Sequence, residues 1–168
     1  MPIFFKDSLY RRIFFVVILK PKIHTSLRVS IHKHISNPTQ FKQQLMSWSQ
    51  QFREIVFLDS NLYPQEHSSF DFILAVDAFT SLKTDFQNAF DDLKQYQQTT
   101  KDWLFGYLSY DLKNDIEDLK SNNFDGLDFP DLFFFQPKKI FFFFFFQLEI
   151  QYLHLCDVVV EDVFFVIV

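Results

Sequence analysis

The sequence predicts an α+β domain built on a mainly antiparallel sheet. Two observations carry that reading. Strand-like and helix-like segments succeed one another without the strict alternation of a parallel α/β sheet. Hydrophobic residues make up 48% of the 168 positions and charged residues 22%, enough apolar material for one core and too much for a disordered chain.

The strands and helices come from local pattern. Leu27, Val29 and Ile31 alternate with polar neighbours and read as a strand that stops before Asn37-Pro38. Asn37 is placed to cap a helix with Pro38 in its first position, and Phe41, Leu45, Trp48 and Phe52 recur on one face of it. Ile55 to Leu58 is a short buried strand running into the polar turn Asp59-Ser60-Asn61. A loop over 61–69 precedes a strand within Phe70 to Phe79. Thr84 or Asp85 is then expected to cap a second helix with Phe86, Phe90 and Leu93 on its apolar face. Trp103 to Tyr110 reads as a strand in which Gly106 marks a bulge or a close backbone approach. A short helix over Asp111 to Lys120 and a loop over Asn122 to Asp131 follow. Phe133 to Phe135, Ile140 to Phe146 and Leu148 to Leu155 are three further strands.

Phenylalanine is distributed unevenly. Residues 24–132 hold 11 of the 26 Phe, whereas the 59 positions outside that span hold 15, in clusters such as Phe4-Phe5, Phe14-Phe15 and Phe141 to Phe146. Six consecutive Phe follow neither a period of 2 nor one of 3.6, and six large rings in a row are expected to pack poorly. Phe codons are T-rich, so a frame error in a T-rich tract would produce such runs; the flanks read as aberrant sequence. Lys6, Arg11 and Arg12 precede the apolar Ile13 to Leu19, but Lys20-Pro21-Lys22 follows where a signal peptide would carry small residues. The sequence therefore divides into a doubtful leader over 1–26, a domain over 27–155 and a doubtful apolar tail over 156–168.

Composition excludes several function classes. The net charge is −5, and residues 91–131 carry ten acids against four lysines, the wrong balance for nucleic acid. No apolar run reaches the roughly 18 residues of a membrane-spanning helix. A single cysteine, Cys156, excludes a disulfide framework and a multi-cysteine metal cluster. Two glycines, Gly106 and Gly126, leave no Gly-rich phosphate loop. The expectation is a soluble, cytoplasmic domain with neither nucleic acid nor membrane as partner.

Three small constellations carry donor atoms. His32 and His34 share one face of a strand, as do His154 and Cys156, but neither pair has the third ligand a zinc site needs, so half-exposed strand residues are the plainer reading. Asp111, Asp115 and Asp118 fall on one helical face, where a solvated stripe is more common than a Mg²⁺ site. No nucleophile elbow and no catalytic triad can be assembled. Read from the residues alone, the chain has no visible catalytic site and no metal site.

The segment from Trp103 to Leu119, WLFGYLSYDLKNDIEDL, resembles the G-Y-x-x-Y-D…E-x-L signature of the anthranilate synthase component I family, through Gly106, Tyr107, Tyr110, Asp111, Glu117 and Leu119. That family includes the para-aminobenzoate (aminodeoxychorismate) synthase component I enzymes. Upstream, Leu58-Asp59-Ser60 is similar to the family's Leu-Glu-Ser strand end, and downstream Pro130-Asp131 is similar to the Pro-Asp pair where the chain returns to the sheet. The resemblance spans about residues 27–155 and looks closer to the para-aminobenzoate branch, with anthranilate synthase the second choice.

It implies the fold of the family's N-terminal domain, with catalysis and the Mg²⁺-binding glutamates in a C-terminal chorismate-binding domain outside this sequence. No cofactor and no catalytic residue is then expected here. The implied partners are that missing domain, a glutamine amidotransferase subunit and, in a pocket, tryptophan. Leu58, Asp59 and Ser60 hold the positions that line the effector pocket in several members. Asp in place of Glu shortens the reach by one methylene, and the family's Arg-Tyr-Ser stretch is replaced by SSFDF at Ser68 to Phe72. A plain strand-end turn at Asp59 and Ser60 is the competing reading. Gly106, Tyr107 and Tyr110 are expected to be packing residues where the two domains meet. Two other readings stand beside this one: a stand-alone amino-acid-binding module, and a non-functional gene relic.

Overall fold

The computed structural model describes residues 2–3, 14–21, 28–61, 70–85, 87–115 and 129–153. In chain order the elements are β1 (Pro2–Ile3), β2 (Phe14–Leu19), β3 (Arg28–His34), α1 (Pro38–Ser49), β4 (Ile55–Asp59), β5 (Phe72–Thr84), α2 (Ala89–Thr100), β6 (Leu104–Ser109), a 3-10 helix (Tyr110–Asp115), β7 (Leu132–Phe144) and β8 (Gln147–Leu153). The architecture is α+β with a mainly antiparallel sheet. Among the described residues no helix is long and apolar enough to cross a membrane. The chain forms two compact units, Met1–Thr25 with Phe79–Gln136 and Ser26–Ala78 with Pro137–Val168, and β5 and β7 contribute residues to each.

In the unit that contains α1, Asn37 caps the helix by accepting a hydrogen bond from the Gln40 amide at 3.2 Å, and Pro38 opens it. Phe41 and Leu45 are buried as the periodicity predicts, with Trp48 and Phe52 partly buried beside them. β4 pairs with β5 from Ile55↔Val76 to Asp59↔Phe72. The two-residue period of the strand sends Phe72, Leu74 and Val76 into the same cluster as Phe41 and Leu45. Phe141, Phe143, Leu148 and Ile150 complete that cluster from β7 and β8.

The run of six Phe divides: Phe141 to Phe143 are packed, whereas Phe144, Phe145 and Phe146 are exposed. Phe141 and Phe143 enter the α1 cluster, where Phe143 stacks on Phe72 with ring centroids 4.8 Å apart and Phe141 meets Trp48 edge-on at 5.5 Å. Phe142, on the opposite face, lies 5.0 Å from Phe70 and is only 3% exposed. A strand flanked by other strands and covered on both faces needs no alternation, so three rings in sequence are each accommodated. Burial of each such ring contributes on the order of 2–3 kcal/mol.

The two strands expected at 133–135 and 140–146 are one strand, β7, with Pro137 buried inside it. Its ladder with β6 ends at Phe135, and its ladder with β8 begins at Lys139. Pro137 thus falls between two pairings, where the missing N–H interrupts neither. β3 pairs with β8, but Val29 is 50% exposed, so the apolar alternation there does not mark a buried face.

In the other unit, β2 pairs with β6 and β6 with β7 around a cluster of Ala89, Leu104, Leu112, Leu132 and Phe134. The second helix begins later than its sequence suggests. Thr84 is the last residue of β5, and α2 is preceded by Asn88 in a left-handed conformation without a side-chain cap. The face that packs is therefore Ala89, Leu93 and Tyr96, while Phe90 is 39% exposed and Phe86 lies outside the described residues. Extension of a paired strand outweighs a local capping signal. Of the helix expected over Asp111 to Lys120, the described part is a 3-10 helix, Tyr110–Asp115, and 116–120, with Glu117 and Leu119, lie outside the described residues.

β7 and β8 are joined by a two-residue turn, since Phe144 pairs with Gln147. Phe145 and Phe146 both take positive φ, 44° and 66°, as a type I′ turn requires. Bulky residues pay a steric penalty there that Asn and Gly avoid. The double substitution Phe145→Asn, Phe146→Gly is expected to raise unfolding stability by about 1–2 kcal/mol in urea titration. A loss of stability would contradict this turn.

Candidate functional site

Leu58 and Asp59 close β4, one residue further than the sequence places the strand end, and Ser60 follows it. The Asp59 carboxylate is engaged twice. One oxygen forms an ion pair with the ammonium of Lys42 on α1, and the other accepts the Asn61 amide at 3.0 Å, an Asx-type turn. The Ser60 amide donates to the Asp71 carbonyl at 2.8 Å, and an Asp71 carboxylate oxygen accepts the Phe145 amide at 2.9 Å. Asn61 takes positive φ, 52°, and so reverses the chain directly after the strand. The Asp59 carboxylate thus makes its charge-assisted contact with a lysine of the same chain.

Gly106, Tyr107 and Tyr110 lie in and just after β6. Gly106 faces Phe134 across the β6–β7 ladder. A Cβ at Gly106 would sit 2.0 Å from the Phe133 carbonyl oxygen and 2.7 Å from the Phe134 Cα, both backbone atoms that cannot rotate away. The close approach expected of this glycine is present. Tyr107 is half-buried with its ring 5.8 Å from that of Phe133. Tyr110 is 55% exposed, and the Lys113 ammonium lies 4.5 Å from its ring centroid.

Between these positions sits a buried clasp. Ser109 donates its hydroxyl to the Asp131 carboxylate at 2.7 Å and its amide to the Asp131 carbonyl at 2.7 Å, and the Asp111 amide donates to the Ser109 hydroxyl oxygen at 3.2 Å. The end of β6 and the start of β7 are thereby held together at the two segments, Tyr110-Asp111 and Pro130-Asp131. Ser109 gives no local signal of this, because its partner is 22 residues away.

The remaining candidates do not assemble. His32 and His34 are exposed on β3, and His34 stacks on Phe146 with centroids 6.1 Å apart. His154, Cys156 and Asp118 lie outside the described residues. Asp111 is the second residue of a 3-10 helix, whose three-residue period does not align positions four apart, and Lys113 pairs with it at 3.5 Å. Among the described residues no group of three or more His, Cys, Asp or Glu is placed to hold a metal ion.

A polar network absent from the sequence reading does form. Gln136 donates to the Asp102 carboxylate at 2.8 Å and accepts the Thr80 hydroxyl at 3.2 Å, and Thr80 is 2.7 Å from the Tyr96 hydroxyl. With the Thr80 proton directed to Gln136, the Tyr96 O–H is the donor to Thr80. Burial raises the Tyr96 phenol above its usual value near 10, and burial pushes Tyr152, in the other unit, up to about 12. Both phenols stay protonated at physiological pH. The network ties α2 to β5 and β7 through groups 16 to 56 residues apart in sequence.

No protein-family model matches the chain, and no curated protein or solved structure matches it.

The packing at Gly106 has a direct consequence. Gly106→Ala must force β6 and β7 apart and is expected to cost about 3 kcal/mol of unfolding free energy in urea titration. Wild-type stability in that variant would show that the two backbones are not in contact.

Proposed function

We propose that this chain is the non-catalytic N-terminal domain of an aminodeoxychorismate synthase component I-like enzyme, serving as scaffold for a chorismate-binding domain and a glutamine amidotransferase subunit. The parent reaction is amination of chorismate on the route to para-aminobenzoate. The observation that carries the reading is the motif Gly106-Tyr107…Tyr110-Asp111 at the end of β6, clasped through Ser109 to the Pro130-Asp131 segment at the start of β7. Motif segments that are separate in sequence form one structural feature, which favours their being parts of a single signature.

The scaffold role is favoured over an effector pocket by the state of Asp59. Its carboxylate already holds Lys42 and the Asn61 amide, so an incoming ammonium would have to displace an intramolecular ion pair. No catalytic residue is assigned to this chain, and Mg²⁺ belongs with the chorismate-binding domain.

The test is to isolate from cells the polypeptide that yields the WLFGYLSYDL peptide, measure its mass, and assay it with chorismate, ammonia and Mg²⁺. Expected is a chorismate-binding domain in the same polypeptide or a stable complex, with turnover only when that domain is present. A free 168-residue protein without such a partner, or turnover by this chain alone, would overturn the reading.

A further inference from the structure

β4 is an edge strand whose outward groups are self-complementary. Among the described residues it is the last strand on its side of the sheet and pairs only with β5. Its inward groups are identified by two flanking bonds: the Ser60 amide donates to the Asp71 carbonyl, and the Asp77 amide donates to the Glu54 carbonyl at 3.3 Å. Antiparallel ladders alternate, so even-numbered residues address β5, and the N–H and C=O groups of Ile55, Phe57 and Asp59 address the open edge. Native edges are normally blunted by lysine, proline or charge. The other edge strand of this unit, β3, is protected in that way by Arg28, His32, Lys33 and His34. β4 carries no Lys or Pro, and its Ile55 is 37% exposed.

The odd-numbered residues read Arg53, Ile55, Phe57, Asp59, a cation, two apolar side chains and an anion. Turned antiparallel on itself about Val56, this row sets Arg53 against Asp59, where it exchanges with Lys42 as partner of the carboxylate, and Ile55 against Phe57, twice over by symmetry. Arg53 is available for this: its side chain is 85% exposed, with only a 3.7 Å contact to Glu54. The same operation on β3, whose sequence is RVSIHKH, sets Arg28 against His34 and Val29 against Lys33, with no anion to offset them. We propose that β4 is a docking edge for a second copy of this chain, pairing antiparallel about Val56 to continue the sheet across a two-fold axis. Self-pairing is isologous and closes on itself, so it ends at a dimer. A ladder this short makes a transient dimer rather than an obligate one.

Sedimentation of the full chain over a concentration series tests this, together with hydrogen exchange at the same concentrations. Expected is a monomer–dimer equilibrium in which the Ile55, Phe57 and Asp59 amides gain protection as the dimer fills. Arg53→Asp lies on an exposed turn and sets two carboxylates against each other at both ends of the ladder. It is expected to weaken dimerisation about tenfold or more, and mixing it with Asp59→Arg restores association. In a Cys156→Ser background, Val56→Cys is expected to form a disulfide-linked dimer in air, because centrally opposed residues in such a register lie about 4.5 Å apart at Cα. The proposal is overturned by a chain that is monomeric throughout, or by association that Arg53→Asp leaves unchanged. Association abolished by Phe145→Asn, Phe146→Gly would assign the contact to the β7–β8 turn and overturn it too. So would protection of these amides only on adding a chorismate-binding domain.

Discussion

Burial of β7 on both faces is the constraint on which the rest of the structure depends. Leu132, Phe134, Phe135 and Ile140 are fully enclosed, and Phe141 to Phe143 nearly so. A strand in that position must give up alternation and carry apolar residues continuously, which accounts for the density of Phe along it. Its neighbours are shaped accordingly. α1 presents Phe41 and Leu45 to Phe141 and Phe143, while β6 places a residue without a side chain where β7 crosses closest. Where β7 ends, the run of Phe continues for two residues into a turn that favours other residue types.

Scarcity of glycine has a structural counterpart. Asn61, Asp77, Asn88, Lys101, Phe145 and Phe146 all take positive φ, a conformation that glycine adopts without penalty. Asn and Asp bear it with little cost, since they are the side chains most often found there. The one glycine among the described residues, Gly106, is used instead for close approach of two backbones. That use links the motif at the end of β6 to the fold itself.

Legibility in the sequence follows the range of the forces involved. α1 is readable because its cap, its first proline and its apolar period all lie within fifteen residues and agree. β4 and β6 are readable for similar reasons, and Gly106 announces itself by being a glycine in a strand. The start of α2 is not, because the extent of β5 is decided by its pairing partners and not by Thr84 or Asp85. Pro137 argues locally for a break in β7, and its position between the β6 and β8 ladders is set by strand pairing rather than by local sequence. At the candidate site, Asp59 is legible as a strand-end carboxylate, but Lys42, which engages it, is 17 residues earlier on a helix face that periodicity marks only as polar. Ser109 and Asp131 meet by the same kind of long-range closure.

Native-state hydrogen exchange of the full chain, resolved residue by residue, tests the standing of β7 most directly. If both of its faces are sealed, the paired amides of β7, including those in Phe141 to Phe143, exchange only through global unfolding and are the slowest in the protein. Exchange of those amides as fast as that of the exposed Phe145–Phe146 turn would contradict a core built on this strand.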